Sequence, residues 1–225
     1  ILEGANLLIV PVFSVDAHER FGRYNRINQN GPEEMGWRAT AQNLNLNRDF
    51  AKVDAPEMEA LQKLLARYKP DLFFDNHTTN GGDWQYVVGL GVATDPTLDP
   101  GVAAWSSRMY EAVRARNDQS GFLTSKYFSL VDPADPGKGI RVGAFGPRFS
   151  TGFLTALNRP SILVETHVLK PYRLRVEATY AVMKHAIEHA IDTGFQLKDL
   201  LAKADELERS RGEGAVEVLT VGDAL

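Results

Sequence analysis

Four short apolar runs, separated by segments with a helical pattern, most constrain how this chain can fold. The runs cover residues 7–13, 71–77, 86–93 and 161–165, and they are rich in Val, Leu, Ile and Phe. An uninterrupted apolar run of this length is typical of a strand buried on both faces. Strands that alternate with helices favour parallel neighbours. The sequence therefore predicts an α/β fold in which helices flank a mixed, mainly parallel central sheet.

The helical segments lie between and after these runs. We predict helices over residues 54–69, 100–117, 173–192 and 197–211, the first with Asp54 as a candidate N-cap. In the third helix, apolar residues recur every three or four positions and predict its buried face: Val176, Tyr180, Met183, Ile187 and Ile191. Residues 14–49 and 132–147 lack such periodicity and are predicted as loops, and a loop as long as the first is usually functional.

The composition narrows the classes of function. With 44% hydrophobic and 24% charged residues, the chain can build a folded core. Its net charge of −4 leaves no basic surplus to neutralise a nucleic-acid backbone, so we expect no nucleic-acid partner. The longest apolar run, residues 7–13, is far shorter than the ~20 residues that span a bilayer, and we expect no membrane-spanning segment. The lack of Cys excludes disulfides and thiolate zinc ligands.

Two of the predicted strands end in an ionisable side chain. His77 ends the run 71–77, and Glu165 ends the run 161–165. In α/β sheets ligands bind outside the carboxyl ends of the strands, so these two side chains are candidates for one active site. The alternative is that each caps its strand and hydrogen-bonds a neighbouring loop.

The long polar segment contributes Arg38 and the adjacent Asn47 and Arg48. An amide donor beside a planar guanidinium suits bidentate capture of a carboxylate. Surface Asn-Arg pairs are common, so this pair alone does not identify a binding site.

In this order, these residues resemble the zinc metallocarboxypeptidases of the carboxypeptidase A type. The likeness consists of Arg38 ten residues before Arg48, the Leu-Asn-Leu-Asn-Arg-Asp-Phe run over 44–50, the Asp-x-His that ends at His77 and the Val-Glu that ends at Glu165. It covers roughly residues 7–193. The resemblance implies a carboxypeptidase-like (phosphorylase/hydrolase-like) fold, with a catalytic domain over residues 1–211 and a linker or the start of a following module over 212–225.

The resemblance also implies a role for each residue. His77 corresponds to the family's third zinc ligand, and Glu165 to the general base that takes a proton from zinc-bound water and later delivers it to the leaving amine. Asn47 and Arg48 correspond to the pair that holds the C-terminal carboxylate, and Arg38 to the arginine that polarises the scissile carbonyl. The implied cofactor is zinc, and the implied substrate is a peptide or peptide-like molecule with a free C-terminal carboxylate. A periplasmic or secreted location is what the resemblance suggests.

The family's first two zinc ligands have no counterpart in this sequence. They come from a His-x-x-Glu upstream of Arg38, and the adjacent His18 and Glu19 lack that spacing. Because catalytic zinc normally takes three protein ligands and Ile1 is not an initiator Met, we interpret the chain as lacking an N-terminal segment of the same protein.

Two further departures concern the surroundings of the site. Asn45 stands where the family has an Asp that supports a metal-bound His. No Tyr in residues 146–153 matches the family's substrate-binding tyrosine, and residues 150–154 are expected to line the side-chain pocket instead.

Other histidines are predicted to be structural or solvated. His185 and His189 flank Glu188 with the spacing of zinc-binding helices, but the periodicity of their helix places them on its solvent face. His167, two residues past Glu165, is interpreted as structural. Two other functions remain open: an amidase or deacylase of the same fold acting on acyl-amino acids or cell-wall peptides, and a relative that binds carboxylates without cleaving them.

Overall fold

The computed structural model describes residues 3–92, 97–143 and 145–212, and it confirms the predicted α/β architecture. The strands are β1 (Phe73–Thr78), β2 (Val88–Val92), β3 (Thr124–Lys126), β4 (Ser129–Leu130), β5 (Ile140–Arg141) and β6 (Ser161–Thr166). The helices are α1 (Val15–Glu19), α2 (Pro56–Tyr68), α3 (Pro100–Gln119), α4 (Ser150–Ala156), α5 (Tyr172–Asp192) and α6 (Gly194–Gly212), with 3-10 turns at Leu46–Arg48 and Pro136–Lys138.

The central sheet is mixed and mainly parallel. Its four strands lie in the order β1-β6-β2-β3, with β1 parallel to β6, β2 antiparallel to β6, and β3 parallel to β2. Strands β4 and β5 form a separate antiparallel pair. The sheet thus places the carboxyl ends of β1 and β6 side by side.

Helices cover both faces of this sheet. On one face, Val88, Leu90, Ile162 and Val164 pack against α3, α5 and α6 in the main hydrophobic core. On the other, a smaller core joins α2 to the 3-10 turn around Leu46. Since successive side chains of a strand point to opposite faces, Glu165 lies on the face opposite the main core.

The prediction of a buried strand over residues 7–13 is wrong. These residues form no strand, and Ile9 is 73% exposed. An apolar run is buried in a sheet only when strands flank it, and in the described parts of the chain no strand pairs with this segment. Strand β1 is itself an edge, since β6 alone pairs with it there.

The predicted buried face of α5 is also wrong. Val176 and Tyr180 are exposed, whereas small residues, above all Ala178 and Ala186, form the buried face with Val182. Small side chains let α5 approach the core closely, and this outweighs the larger apolar area of Val and Tyr.

This rotation of α5 turns its histidines inward, contrary to the predicted solvent face. The Nδ1 atom of His185 lies 2.7 Å from Oδ1 of Asn117 on α3, and the ring of His189 packs against Trp105. Burial lowers the pKa of both histidines. They hold α5 against α3.

The remaining helices and loops follow the predictions with local differences. Helix α2 begins one residue later than a cap at Asp54 would give, with Ala55 as N-cap and no side-chain cap bond. The predicted loop 14–49 contains α1 and one 3-10 turn, the predicted loop 132–147 contains the other 3-10 turn and β5, and β3, β4 and α4 were not predicted. Of the linker predicted over 212–225, residue 212 ends α6, and residues 213–225 lie outside the described residues, as does Ala93.

Candidate active site

His77 and Glu165 stand next to each other at the carboxyl ends of β1 and β6. They are paired in the parallel register of the two strands. Paired residues of neighbouring strands point to the same face of a sheet, so the imidazole and the carboxylate face one space. The sequence predicted that the two residues share a sheet edge, and the register makes them immediate neighbours.

Asp75 connects His77 to helix α4. One carboxylate oxygen accepts a short hydrogen bond from the Ser150 hydroxyl, and the other, Oδ1, lies 2.8 Å from Nε2 of His77. The ring N–H is not aligned with that oxygen, so Nε2 is a buried nitrogen without a hydrogen-bond partner. Burial lowers the pKa of His77, but the carboxylates of Asp75 and Glu165 more than offset this effect and raise it above the ordinary value.

Glu165 is a buried carboxyl with an unusually high proton affinity. Its side chain is nearly covered, and its Oε2 atom has no hydrogen-bond partner. Burial raises the pKa of Glu165 to about 7; the charge of Asp75 adds to this, while His77 and Arg38 act against it. A carboxyl with a pKa near the working pH can both accept and return a proton.

Arg48 and Asn47 lie on a 3-10 turn that the smaller core holds in place. Buried Leu46 and Phe50 anchor the turn, and the buried Asp49 accepts hydrogen bonds from two backbone N–H groups at the start of α2. The Arg48 guanidinium lies over the Phe149 ring, 4.4 Å from its centroid, and donates a 2.6 Å hydrogen bond to the Asn47 carbonyl. This stacking fixes a half-buried guanidinium that still has free donors.

Arg38 reaches the same region from the long polar segment. The backbone of that segment is tied down next to it, since Trp37 N–H donates to the Ala17 carbonyl at 2.7 Å. The positive charge of Arg38 lowers the pKa of Glu165 and of His77. His77 and Glu165 are paired in the sheet, and Arg38 lies close enough for its charge to act on both.

A cavity of about 360 Å³ opens beside Glu165. Four aromatic side chains contribute to its walls, Trp84, Tyr86, Tyr127 and Phe128, among mostly polar and small residues. Gly89 lies opposite Glu165 in the antiparallel pair of β2 and β6, and a Cβ there would come within 3.3 Å of the Tyr127 backbone. The absence of a side chain at position 89 thus leaves room next to the carboxylate.

Tyr127 links this cavity to the arginines. Burial and the charge of Glu165 raise the pKa of Tyr127, while the charge of Arg48 lowers it. The sequence did not point to Tyr127 or Phe149, and it gave Asp75 only as the first residue of the Asp-x-His motif, because their roles depend on contacts between residues far apart in the chain. Residues 150–154, expected to line the pocket, are not among the residues that line this cavity.

His167 is a buried structural residue next to the site. Its Nε2 atom accepts a 2.9 Å hydrogen bond from the backbone N–H of Trp84, which holds the loop after β1. Burial lowers the pKa of His167, in keeping with a neutral ring that accepts this bond.

The described residues supply one candidate zinc ligand. His77 is that residue: a neutral imidazole nitrogen can bind zinc, and Nε2 of His77, which lies next to Asp75 Oδ1, could do so only without its proton. Within residues 3–92, 97–143 and 145–212, however, no three His, Asp or Glu side chains are placed to hold a metal ion together. By themselves these residues do not complete a zinc site.

Comparison with solved structures adds one fold-level finding. The structure is similar to a candidate carboxypeptidase A from Shewanella denitrificans OS-217, with a TM-score of 0.52 at 18% sequence identity. The fold is carboxypeptidase-like. The alignment covers 70% of this chain and 42% of that protein, so the chain spans less than half the length of this neighbour.

The carboxypeptidase-like fold is a statement about architecture. No protein-family model matches the sequence, and no curated protein matches it. Among the described helices, none is long and apolar enough to cross a membrane. The fold alone therefore does not define an activity, which depends on the side chains of the candidate site.

Proposed function

We propose that the protein is a zinc-dependent carboxypeptidase that hydrolyses the C-terminal peptide bond of its substrate. The observation that carries the proposal is the pairing of Glu165 with His77 in one register, within reach of the charge of Arg38. A proton acceptor, a buried imidazole and a cation on one side of a sheet edge suit the hydrolysis of a polarised amide.

Arg48 and Asn47 bind the substrate's terminal carboxylate in this proposal. A cleaved terminal residue carries its own carboxylate, which a planar guanidinium can bind through two parallel hydrogen bonds. The Phe149 ring under Arg48 holds the guanidinium in one plane. Such preorganisation reduces the side-chain entropy that is lost on binding.

Glu165 acts as the general base and Arg38 as the electrostatic stabiliser. With a pKa of about 7, Glu165 takes a proton from the attacking water and can return it to the leaving amine. Arg38 stabilises the negative charge that develops on the scissile carbonyl oxygen.

His77 is proposed as one ligand of the zinc ion. When bound, zinc lowers the pKa of water and polarises a carbonyl. The further ligands would have to come from outside the described residues. Asp75 orients the imidazole, and Ser150 in turn holds Asp75.

The test is chelator-sensitive hydrolysis of peptides by the wild type and by Glu165→Gln. We expect the variant to lose at least about 100-fold in kcat, because the base itself is removed. Glu177→Gln is the matched control, since it makes the same change on the exposed face of α5. Chelator-sensitive turnover that survives in Glu165→Gln would refute the assignment.

A second candidate function is binding of carboxylates without cleavage. It is favoured by the single zinc-ligand candidate among the described residues. A protein that binds peptides through Arg48 but neither binds zinc nor turns peptides over would be of this kind. An amidase or deacylase of the same fold would instead prefer acylated amino acids or cell-wall peptides in the same assay.

A further inference from the structure

The candidate site holds more arginines than one carboxylate needs. Two guanidinium groups share the Phe149 ring, Arg48 at 4.4 Å and Arg148 at 5.7 Å from its centroid. Arg38 adds its charge to these, and together with burial it lowers the pKa of Arg48 and of Arg26. We call Arg26, Arg38, Arg48 and Arg148 the arginine cluster.

Among the residues that the structure describes, the arginine cluster has no carboxylate partners of its own. Some arginines elsewhere pair with acids, as Arg159 does with Asp205 at 2.8 Å and Arg116 with Glu188 at 3.3 Å, whereas others, such as Arg20 and Arg175, do not. Within the part of the chain that the structure describes, no Asp or Glu oxygen lies within 4.0 Å of a guanidinium nitrogen of the cluster. The chain as a whole carries a net charge of −4, so the positive charge of the arginine cluster is opposite in sign to that of the whole chain.

The charges of the site leave room for a doubly negative ligand. Arg38 acts on Glu165, and Asp49 and Asp54 act on Lys52 near Arg148, but none of these carboxylates forms an ion pair with a guanidinium of the cluster, which leaves a surplus of positive charge. Asp75 is already engaged by Ser150 and His77. A substrate that ends in a neutral residue brings one negative charge, whereas one that ends in Glu or Asp brings two and neutralises more of the surplus.

We propose that the site prefers peptides whose terminal residue carries a second carboxylate, with Arg148 as the residue that determines this specificity. The inference rests on the proposed carboxypeptidase function. Arg48 binds the main-chain carboxylate, and Arg148, 5.7 Å from the centroid of the same ring, binds the side-chain carboxylate. A few bonds separate the two carboxylates of a terminal Glu, a spacing that suits two guanidinium groups on one aromatic ring.

Two peptides that differ only in the terminal residue, Glu or Gln, test the proposal. They have nearly the same shape, so the ratio of their kcat/KM values isolates the second charge. We expect the wild type to favour the Glu peptide at least about tenfold, as for one charge-assisted hydrogen-bonded pair. Arg148→Gln should bring this ratio close to one, and Arg148→Glu should favour a Lys-ended peptide over the Glu-ended one.

Arg67→Gln is the matched control. Arg67 lies at the end of α2, just before the amino end of β1, and so at the far end of that strand from His77. The Arg67→Gln substitution removes the same charge from the molecule. We expect it to leave the ratio of kcat/KM for the Glu and Gln peptides within about twofold of the wild type, because distant surface charges are screened.

The outcomes separate this inference from the function on which it rests. Equal cleavage of the two peptides by the wild type would overturn the inference and leave the carboxypeptidase function standing. A preference for Glu that persists in Arg148→Gln would overturn the assignment to Arg148. If neither peptide is cleaved, and calorimetry detects binding of neither, the proposed function fails and the inference falls with it.

Discussion

Replacing Glu165 by Gln should stabilise the protein at alkaline pH, although we expect the same change to remove the proposed activity. The pKa of Glu165 is about 7 in the folded protein, whereas an ordinary glutamate has a pKa of 4.5. A raised pKa means that the folded state binds more protons than the unfolded state between these two values. The free energy of unfolding therefore falls as the pH rises from about 4.5 to about 7, and then levels off.

The size of the effect follows from the pKa difference. Each pKa unit corresponds to 1.36 kcal/mol, so ionised Glu165 lowers the free energy of unfolding by about 3 kcal/mol well above pH 7. At pH 5 most of this penalty is absent. Between pH 5 and pH 8 we expect the wild type to lose about 2 to 3 kcal/mol relative to Glu165→Gln.

Urea unfolding of the chelator-treated proteins at the two pH values measures this difference. Any constant cost of placing an amide next to the unpartnered Oε2 position appears at both pH values and cancels. Glu177→Gln controls for the loss of a carboxylate, and since surface substitutions have small effects we expect a change within about 0.5 kcal/mol. If the free energy of unfolding changes equally for the wild type and for Glu165→Gln between pH 5 and pH 8, the reasoning is refuted.

Three other features of the structure lead to measurable expectations. Asp75→Asn should lower the pKa of His77, because this carboxylate raises it against the effect of burial; an NMR titration that shows no change would mean that the contact does not form in solution. Gly89→Leu should weaken peptide binding at least about tenfold, because its side chain would enter the cavity next to Glu165; affinity retained in calorimetry would place the substrate elsewhere. Val176→Lys and Tyr180→Lys, at side chains that are 49% and 62% exposed, should each leave the free energy of unfolding within about 0.5 kcal/mol of the wild type; a larger loss in urea unfolding would mean that this face of α5 is buried.

The strands that were predicted correctly share one physical property. Strand β6 is buried along its whole length, and β1 and β2 place apolar side chains in the hydrophobic cores; such burial leaves a continuous apolar run in the sequence. Residues 7–13 carry the same pattern but have no flanking strand among the described residues. Composition shows that a segment favours burial, and it does not show whether a neighbour is present to bury it.

The face of α5 could not be predicted from hydrophobicity. Its buried side is made by alanines that allow close approach and by His185 and His189, which find partners on α3. Large apolar residues such as Tyr180 stay at the surface. The packing of a helix depends on how closely its side chains fit those of the neighbouring elements, and hydrophobicity alone does not predict that fit.

The candidate site was predictable in part. The positions of His77 and Glu165 follow from where their strands end, a local property. The contacts of Asp75 with Ser150 and of Arg48 with Phe149 join residues about 75 and 100 positions apart. Such contacts depend on the strand register and on the placement of α4, and no local pattern specifies them.

The central claim is that the residues around Glu165 form a site for a C-terminal carboxylate. The most direct measurement compares the binding of one peptide as the free acid and as the C-terminal amide, to the wild type and to Arg48→Gln. The account predicts that the free acid binds the wild type at least about tenfold more tightly than the amide, and that Arg48→Gln abolishes this difference. Equal affinity of the wild type for the acid and the amide would contradict it.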